Sequence, residues 1–298
     1  MKKNMISQPK PILCPNCRTE EKVSIKIKGK FNIYYCSGCH NGFTSPVPKH
    51  IEQYYPGYYW KTASVLENIK NTMFRLLQRR RVDWVRKVLP KSKGYVLDVG
   101  SGEGRYFSSL REKYKLVNLE PPASKVKNKT VIKTDFLKWK TKDRFDVICF
   151  MESLEHTPSP QRYLTKANKI LKDKGWIIIE FPRYNCLESK LMGKNWFHLD
   201  LPRHLAHLTD KGVVNLLTRT DFTNIKIKEI LSLDYAPWGL AASILNGVNI
   251  DITDYFKKSG NLILFILITP MVIICGIFEI FFLLINQSPL AVVIAKKR

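Results

Sequence analysis

The chain predicts an α/β fold built on a doubly wound, mostly parallel sheet, and three observations carry that prediction. Short apolar runs suited to strands buried on both faces recur at residues 95–99, 115–120, 145–151 and 175–181. Segments with helical spacing, 159–171 and 211–220, alternate with them, which implies right-handed crossovers between parallel strands. The first of the strands also empties into a turn with Gly100, Gly102 and Gly104, residues that tolerate positive φ and close approach of a ligand at a strand's carboxyl end, and a helix is expected to follow that turn.

Residues 1–50 read as a small unit of their own. Cys14-Pro-Asn-Cys17 and Cys36-Ser-Gly-Cys39 are two C-x2-C pairs, and the segments 22–28 and 31–35 between them alternate as a β-hairpin would. Each pair can offer two thiolates from a tight turn, so Cys14, Cys17, Cys36 and Cys39 together suit a tetrahedral zinc ribbon. Four closed positions leave none open for catalysis, so the zinc is expected to be structural. His40, next to Cys39, reads as a bystander. Residues 1–10 lack the apolar centre of a secretory leader, and the cysteines are therefore expected to meet a reducing, cytosolic environment.

The main domain is expected over 51–232. The aromatic stretch 54–60 suits either a lid over a ligand or a clasp between ribbon and domain. Apolar residues from Val65 to Leu77 recur at helical spacing in a helix over 62–89 that Pro90 stops, and the triplet Arg79, Arg80 and Arg81 reads as a solvated face. Asp98 then precedes the glycines, and Glu120 closes the second strand about 20 residues on, where a ribose diol would sit. Asp135 follows a third short apolar run, and the strand 145–151 opens into Glu152-Ser-Leu-Glu-His-Thr-Pro158.

As a set these motifs resemble the class I S-adenosylmethionine (SAM)-dependent methyltransferases. The resemblance runs from Asp98-Val-Gly-Ser-Gly-Glu-Gly104 and Glu120 through Phe145-Asp-Val-Ile, Leu154-Glu-His156 and Ile170-Leu-Lys-Asp-Lys-Gly175 to Phe181-Pro182, covering roughly residues 80–231. It implies a Rossmann-like methyltransferase sheet with SAM held by Asp98, Gly100, Ser101, Gly102, Gly104 and Glu120. Asp135, Phe136 and Met151 complete the implied cofactor set. A dinucleotide enzyme would favour G-x-G-x-x-G in place of the G-x-G-x-G found here.

The acceptor side is expected between the last parallel strand and the next helix, where residues 195–209 gather His198, His204, His207, Arg203 and two aromatics. Their spacing does not suggest a metal site, whereas a neutral imidazole suits proton abstraction. The run His204-Leu-Ala-His-Leu-Thr209 resembles the region carrying the base in zinc-ribbon sugar C-methyltransferases, although Pro202-Arg203 stands where those carry a tyrosine and glutamate. His204 is the candidate base and His198 the second. Glu155 and His156 are expected only to shape the neighbouring loop.

Residues 233–287 form an apolar insertion before a last strand in 288–298. Residues 261–285 are apolar but for a few positions, long enough to meet the roughly 20 residues a span requires. Pro270 and Gly276 predict a break there, giving a bent hairpin in one leaflet or an interfacial segment. Basic residues at Lys257, Lys258 and 296–298 would then flank it on one anionic surface; a buried helix pair or dimer contact is the other reading.

The formal charge of +24 over 298 residues favours an anionic partner, and 45% hydrophobic content excludes general disorder. The expected function is SAM-dependent methylation of a glycan, sugar-nucleotide or lipid-linked acceptor by a peripheral or monotopic protein on the cytosolic membrane face. A zinc-ribbon ribosomal RNA methyltransferase and a non-catalytic SAM-binding scaffold are the alternatives.

Overall fold

The computed structural model describes residues 12–19, 23–55, 79–90, 93–233, 235–250 and 262–298. The aromatic positions 56–60, the predicted helical segment 62–78, and Lys257 and Lys258 lie outside the described residues.

The alternating hairpin of the N-terminal unit becomes β1 (Val23–Ile27) and β2 (Asn32–Cys36), and β3 (Asn41–Ser45) continues the antiparallel ladder. Helix α1 (Arg79–Val88) then leads to the central sheet: β4 (Tyr95–Val99), β5 (Lys115–Glu120), β6 (Val131–Lys133), β7 (Phe145–Met151), α2 (Pro160–Ile170) and β8 (Leu171–Pro182). After the short α3 (Leu187–Met192), strand β9 (Ala206–His207) leaves this sheet and pairs with β3, so the N-terminal sheet has the order β1-β2-β3-β9. The ribbon is thus stitched to the loop expected to receive the acceptor.

Helix α4 (Asp210–Arg219) and β10 (Phe222–Glu229) follow, then α5 (Ala236–Gly247), α6 (Leu262–Leu284) and β11 (Leu290–Lys297). The seven-stranded order is β10-β11-β8-β7-β4-β5-β6, with β4 to β8 parallel and β11 antiparallel between β8 and β10. Apolar residues face both ways, as a sheet covered on both sides demands. Leu97, Ile148 and Ile177 pack with α2 and α4 in one core, while Val96, Val147 and Ile178 pack with α1 in the other.

Two expectations are corrected. No α-helix follows the glycine loop; residues 105–114 hold only a 3-10 turn, Ser108–Leu110. Serines compete there for the backbone, and Ser108 Oγ donates to Arg105 O at 2.9 Å. Nor does the apolar segment break: α6 is one helix from Leu262 to Leu284 with Pro270 inside it. Pro270 lies on the exposed side of the continuous helix, and at Gly276 a Cβ would lie 3.9 Å from Pro237 of α5, an ordinary contact, so neither residue interrupts it.

One face of α6, with Ile268, Cys275 and Phe282, packs on Leu240, Ala241 and Ala242 of α5. Glu279 on the same face is buried near Glu188 of α3; burial, with the Glu188 carboxylate beside it, pushes the Glu279 carboxyl up to about 9. The opposite face exposes Leu267, Ile273, Ile274, Ile277, Phe278, Phe281 and Leu284.

Arg81 is another departure, for it is buried. Its Nε and Nη2 donate to the two oxygens of the fully buried Glu180 on β8, both at 2.7 Å, and its guanidinium lies 4.3 Å from the Tyr106 ring centre. Arg81→Met should therefore destabilise the fold by about 3 kcal/mol, the low end for breaking a buried pair, because Arg80 still reaches Glu180 at 3.3 Å. A melting temperature lowered by roughly 10 °C is the expected readout; an unchanged one would show that Glu180 needs no fixed counter-charge.

Candidate active site

In a doubly wound sheet the crevice opens where strand order reverses, here at the carboxyl ends of β4 and β7. Gly100 has φ +76° and a Cβ there would lie 2.4 Å from Ser153 Cβ, so only glycine lets the two loops meet. Ser153 Oγ closes the junction by donating to Val99 O at 2.6 Å. Gly102 N donates to Glu120 Oε1 at 2.5 Å, tying the glycine loop to the end of β5. Burial raises the Glu120 carboxyl above its ordinary value, and that N–H partly offsets the rise.

The resulting cleft is lined by Gly100, Glu120, Asp135, Phe136, Ser153 and His156, among others. Phe136 stacks on Tyr163 with centroids 5.7 Å apart, forming an aromatic wall. Asp135 Oδ1 accepts from Leu137 N at 2.8 Å, which fixes its carboxylate at the rim. Gly100, Glu120, Asp135 and Phe136 of the expected cofactor set therefore reach one cleft. Ser101, Gly102 and Gly104 shape the loop without lining it, and Met151 packs into the core on the α1 side.

Asp98 lies beneath the loop, fully buried, with neither oxygen hydrogen-bonded among the described residues, and burial pushes its carboxyl up to about 7. Arg81 Nη1 is also buried without a partner, and the Arg81 charge opposes the rise at Asp98. An orphaned acid and an orphaned donor suit the ammonium and carboxylate of an amino-acid tail. With the aromatic wall and the acid at the end of β5, these residues fit SAM. Sequence reasoning missed Arg81; its place on the helix before the glycine loop was the available signal.

The loop after β8 is anchored by Arg183, which binds Asp210 at 2.6 Å and Glu229 at 2.7 Å. Within it the three histidines separate. His198 is 1% exposed, its ring boxed by Trp196, Phe197 and Tyr235, and burial lowers its pKa to about 3. It does not line the cleft. His207 Nε2 meets Thr44 Oγ1 of β3 at 2.9 Å, so it serves the seam with the ribbon.

His204 points the other way, toward the turn after β7. Its ring centre lies 4.6 Å from that of His156, its Nδ1 lies 2.8 Å from His198 O, and its Nε2 is 3.7 Å from Asp200 Oδ2. Burial lowers its pKa, and the Asp200 carboxylate resists. Tyr55 OH reaches His156 Nδ1 at 3.1 Å, so the described end of the aromatic stretch touches this cluster. Glu155, His156 and His204 each bring a ligand-type atom within 4.8 Å of the others, a grouping that the sequence reading did not foresee.

The four ribbon cysteines form the other such group. Cys14 and Cys39 sulfurs are 3.5 Å apart and those of Cys17 and Cys36 3.4 Å, well beyond the roughly 2.05 Å of a disulfide and near the edge of a tetrahedron with ~2.3 Å metal–sulfur bonds. The donor set fits zinc.

A family model described as a methyltransferase domain matches residues 69–227. No curated protein matches the chain. Among solved structures, it resembles a protein described as a sarcosine dimethylglycine methyltransferase of Galdieria sulphuraria, at 13% identity and TM-score 0.50 over 83% of this chain and 97% of that one. A chain from the complex of the Haloferax volcanii Trm112 methyltransferase activator with a methyltransferase gives 11% identity and TM-score 0.50 over 84% and 98%. At such identities the likeness speaks for the fold alone. The family match over more than half of the chain, on a sheet whose switch point carries this cleft, establishes that the chain belongs to the SAM-dependent methyltransferases.

Proposed function

We propose that the protein methylates an anionic glycan, sugar-nucleotide or lipid-linked sugar while lying on the cytosolic face of a membrane, with zinc held by Cys14, Cys17, Cys36 and Cys39 as a structural ion. When bound, SAM supplies an electrophilic methyl on a sulfonium, so the protein must position an acceptor and dispose of its proton. Gly100, Glu120, Asp135 and Phe136 would hold the cofactor. Asp98 and Arg81 would take the two charges of its amino-acid end.

The observation that carries the membrane reading is the exposed apolar face of α6, fastened to the catalytic body by its other face. A lone span would have to free that face and the buried Glu279, and would pull β11 from the sheet, so an interfacial helix fits better than a crossing one. Seven half-exposed large side chains are worth roughly 1 kcal/mol each on insertion, about as much as one lipid chain gives, so a second signal is needed. The net charge of +24 supplies attraction to anionic lipid. A groove between ribbon and catalytic domain, lined by Lys26, Lys190, Lys211, Tyr35 and Tyr184, supports an acceptor carrying phosphate.

In flotation with phosphatidylglycerol vesicles the protein should rise with the lipid, and the pair Ile277→Glu with Phe281→Glu should stay at the bottom. With labelled SAM and a cell extract, label should enter the lipid or glycan fraction. Label confined to RNA, with no flotation, would replace this reading by the RNA methyltransferase one.

A further inference from the structure

The turn after β7 and the loop after β8 place Glu155, His156 and His204 with one ligand-type atom of each inside 4.8 Å. The atoms that meet are all acceptors. His204 Nδ1 lies 2.8 Å from the carbonyl oxygen of His198, and His156 Nδ1 3.1 Å from that of Arg203. A carbonyl only accepts, so each Nδ1 carries the proton, that of His156 lying between Arg203 O and the Tyr55 hydroxyl oxygen, each 3.1 Å away, and each Nε2 is left with a lone pair. Both oxygens of Glu155, a residue 2% exposed, are buried with no hydrogen-bond partner among the described residues. Asp200 Oδ2 adds a further negative oxygen 3.7 Å from His204 Nε2.

Two imidazoles and an unpartnered carboxylate gathered this closely suit a cation. We infer that Glu155, His156 and His204 bind a divalent metal ion separate from the ribbon zinc. Two imidazoles and one carboxylate suit Zn²⁺, Mn²⁺ or Fe²⁺ and leave coordination positions open. The backbone carbonyls behind both Nδ1 atoms are the outer partners that fix a ligating histidine's tautomer and orientation. His156 also lines the cofactor cleft, so the site borders the cleft where the acceptor must arrive.

Resting on the methyltransferase reading, the site selects a hydroxyl acceptor. A hydroxyl bound to the ion is acidified and releases its proton to solvent. Its oxygen then forms the bond to the methyl carbon as the carbon–sulfur bond breaks, with that electron pair remaining on sulfur. His204 is on this view a metal ligand, and no separate imidazole base is required.

The test titrates Mn²⁺ alone into the full-length, zinc-loaded protein and follows free Mn²⁺ by its electron paramagnetic resonance signal. About one Mn²⁺ per chain should bind, and His156→Asn, His204→Asn and Glu155→Gln should each weaken binding at least about tenfold, while His50→Ala leaves it unchanged. Calorimetry with SAM on the same samples reports that each variant is folded and whether the cofactor reading holds. SAM binding with no Mn²⁺ binding, or variants that bind Mn²⁺ as the parent does, would overturn the metal site alone. Mn²⁺ binding lost in the variants but with no SAM binding in the parent would support the site and refute the methyltransferase chemistry.

Discussion

Gly102→Val is expected to abolish SAM binding while the protein stays folded. The three loop glycines differ in what surrounds them. A Cβ at Gly104 would lie 2.7 Å from Asn118 Nδ2, and one at Gly100 would strike Ser153, so substitution at either would disturb the sheet itself. At Gly102 a Cβ meets no atom of the described residues within 4 Å, so a side chain there leaves the packing of the sheet intact. The cost to the fold is then the strain of a β-branched residue at φ +55°, about 1–3 kcal/mol. Valine would also fill the cradle and shift the N–H that Gly102 gives to Glu120. Calorimetry should show no SAM binding at concentrations that saturate the parent, beside a cooperative melt only a few degrees lower. Parent-like affinity would mean that the cofactor lies elsewhere.

The inner strands of the central sheet are legible in the sequence because they are covered on both faces, which writes a continuous apolar run such as Val147-Ile-Cys-Phe-Met151. The terminal strand is legible for the same reason, despite the long insertion before it. The continuity of α6 is not legible, since a proline inside an apolar run can either end a helix or be tolerated within it, and the local sequence does not decide between the two. Glu155, His156 and His204 each look ordinary alone. Only the β3–β9 pairing and the loop geometry bring His204 to the turn after β7, and a contact between distant segments leaves no local periodicity. Arg81 was misread for a similar reason: its partner Glu180 sits in the apolar stretch Trp176 to Pro182 of β8, where nothing in the sequence marks the acid as a partner for α1.

Loss of the ribbon metal is expected to stop methyl transfer without emptying the cofactor cleft. Zinc-held units of this size draw most of their folding free energy from the ion, so Cys36→Ser should unravel the knuckles and the ladder β1-β2-β3. That ladder holds the acceptor loop: Thr44 N donates to Leu205 O at 3.0 Å, Thr44 Oγ1 to His204 O at 2.7 Å, and Thr209 N to Asn41 Oδ1 at 3.1 Å. The cleft, by contrast, is built from the ends of β4 to β7, which pair only within the central sheet. Hydrogen exchange in Cys36→Ser should therefore rise across 204–209 while β4 stays protected. SAM affinity should fall no more than a few-fold, and turnover should drop on the order of 10²-fold, since a shift of the positioning groups by about 1 Å has that effect. Full turnover in zinc-free protein would make the ribbon a passive neighbour. Loss of SAM binding together with turnover would show that ribbon and sheet fold as one unit, and the division between cofactor side and acceptor side would not stand.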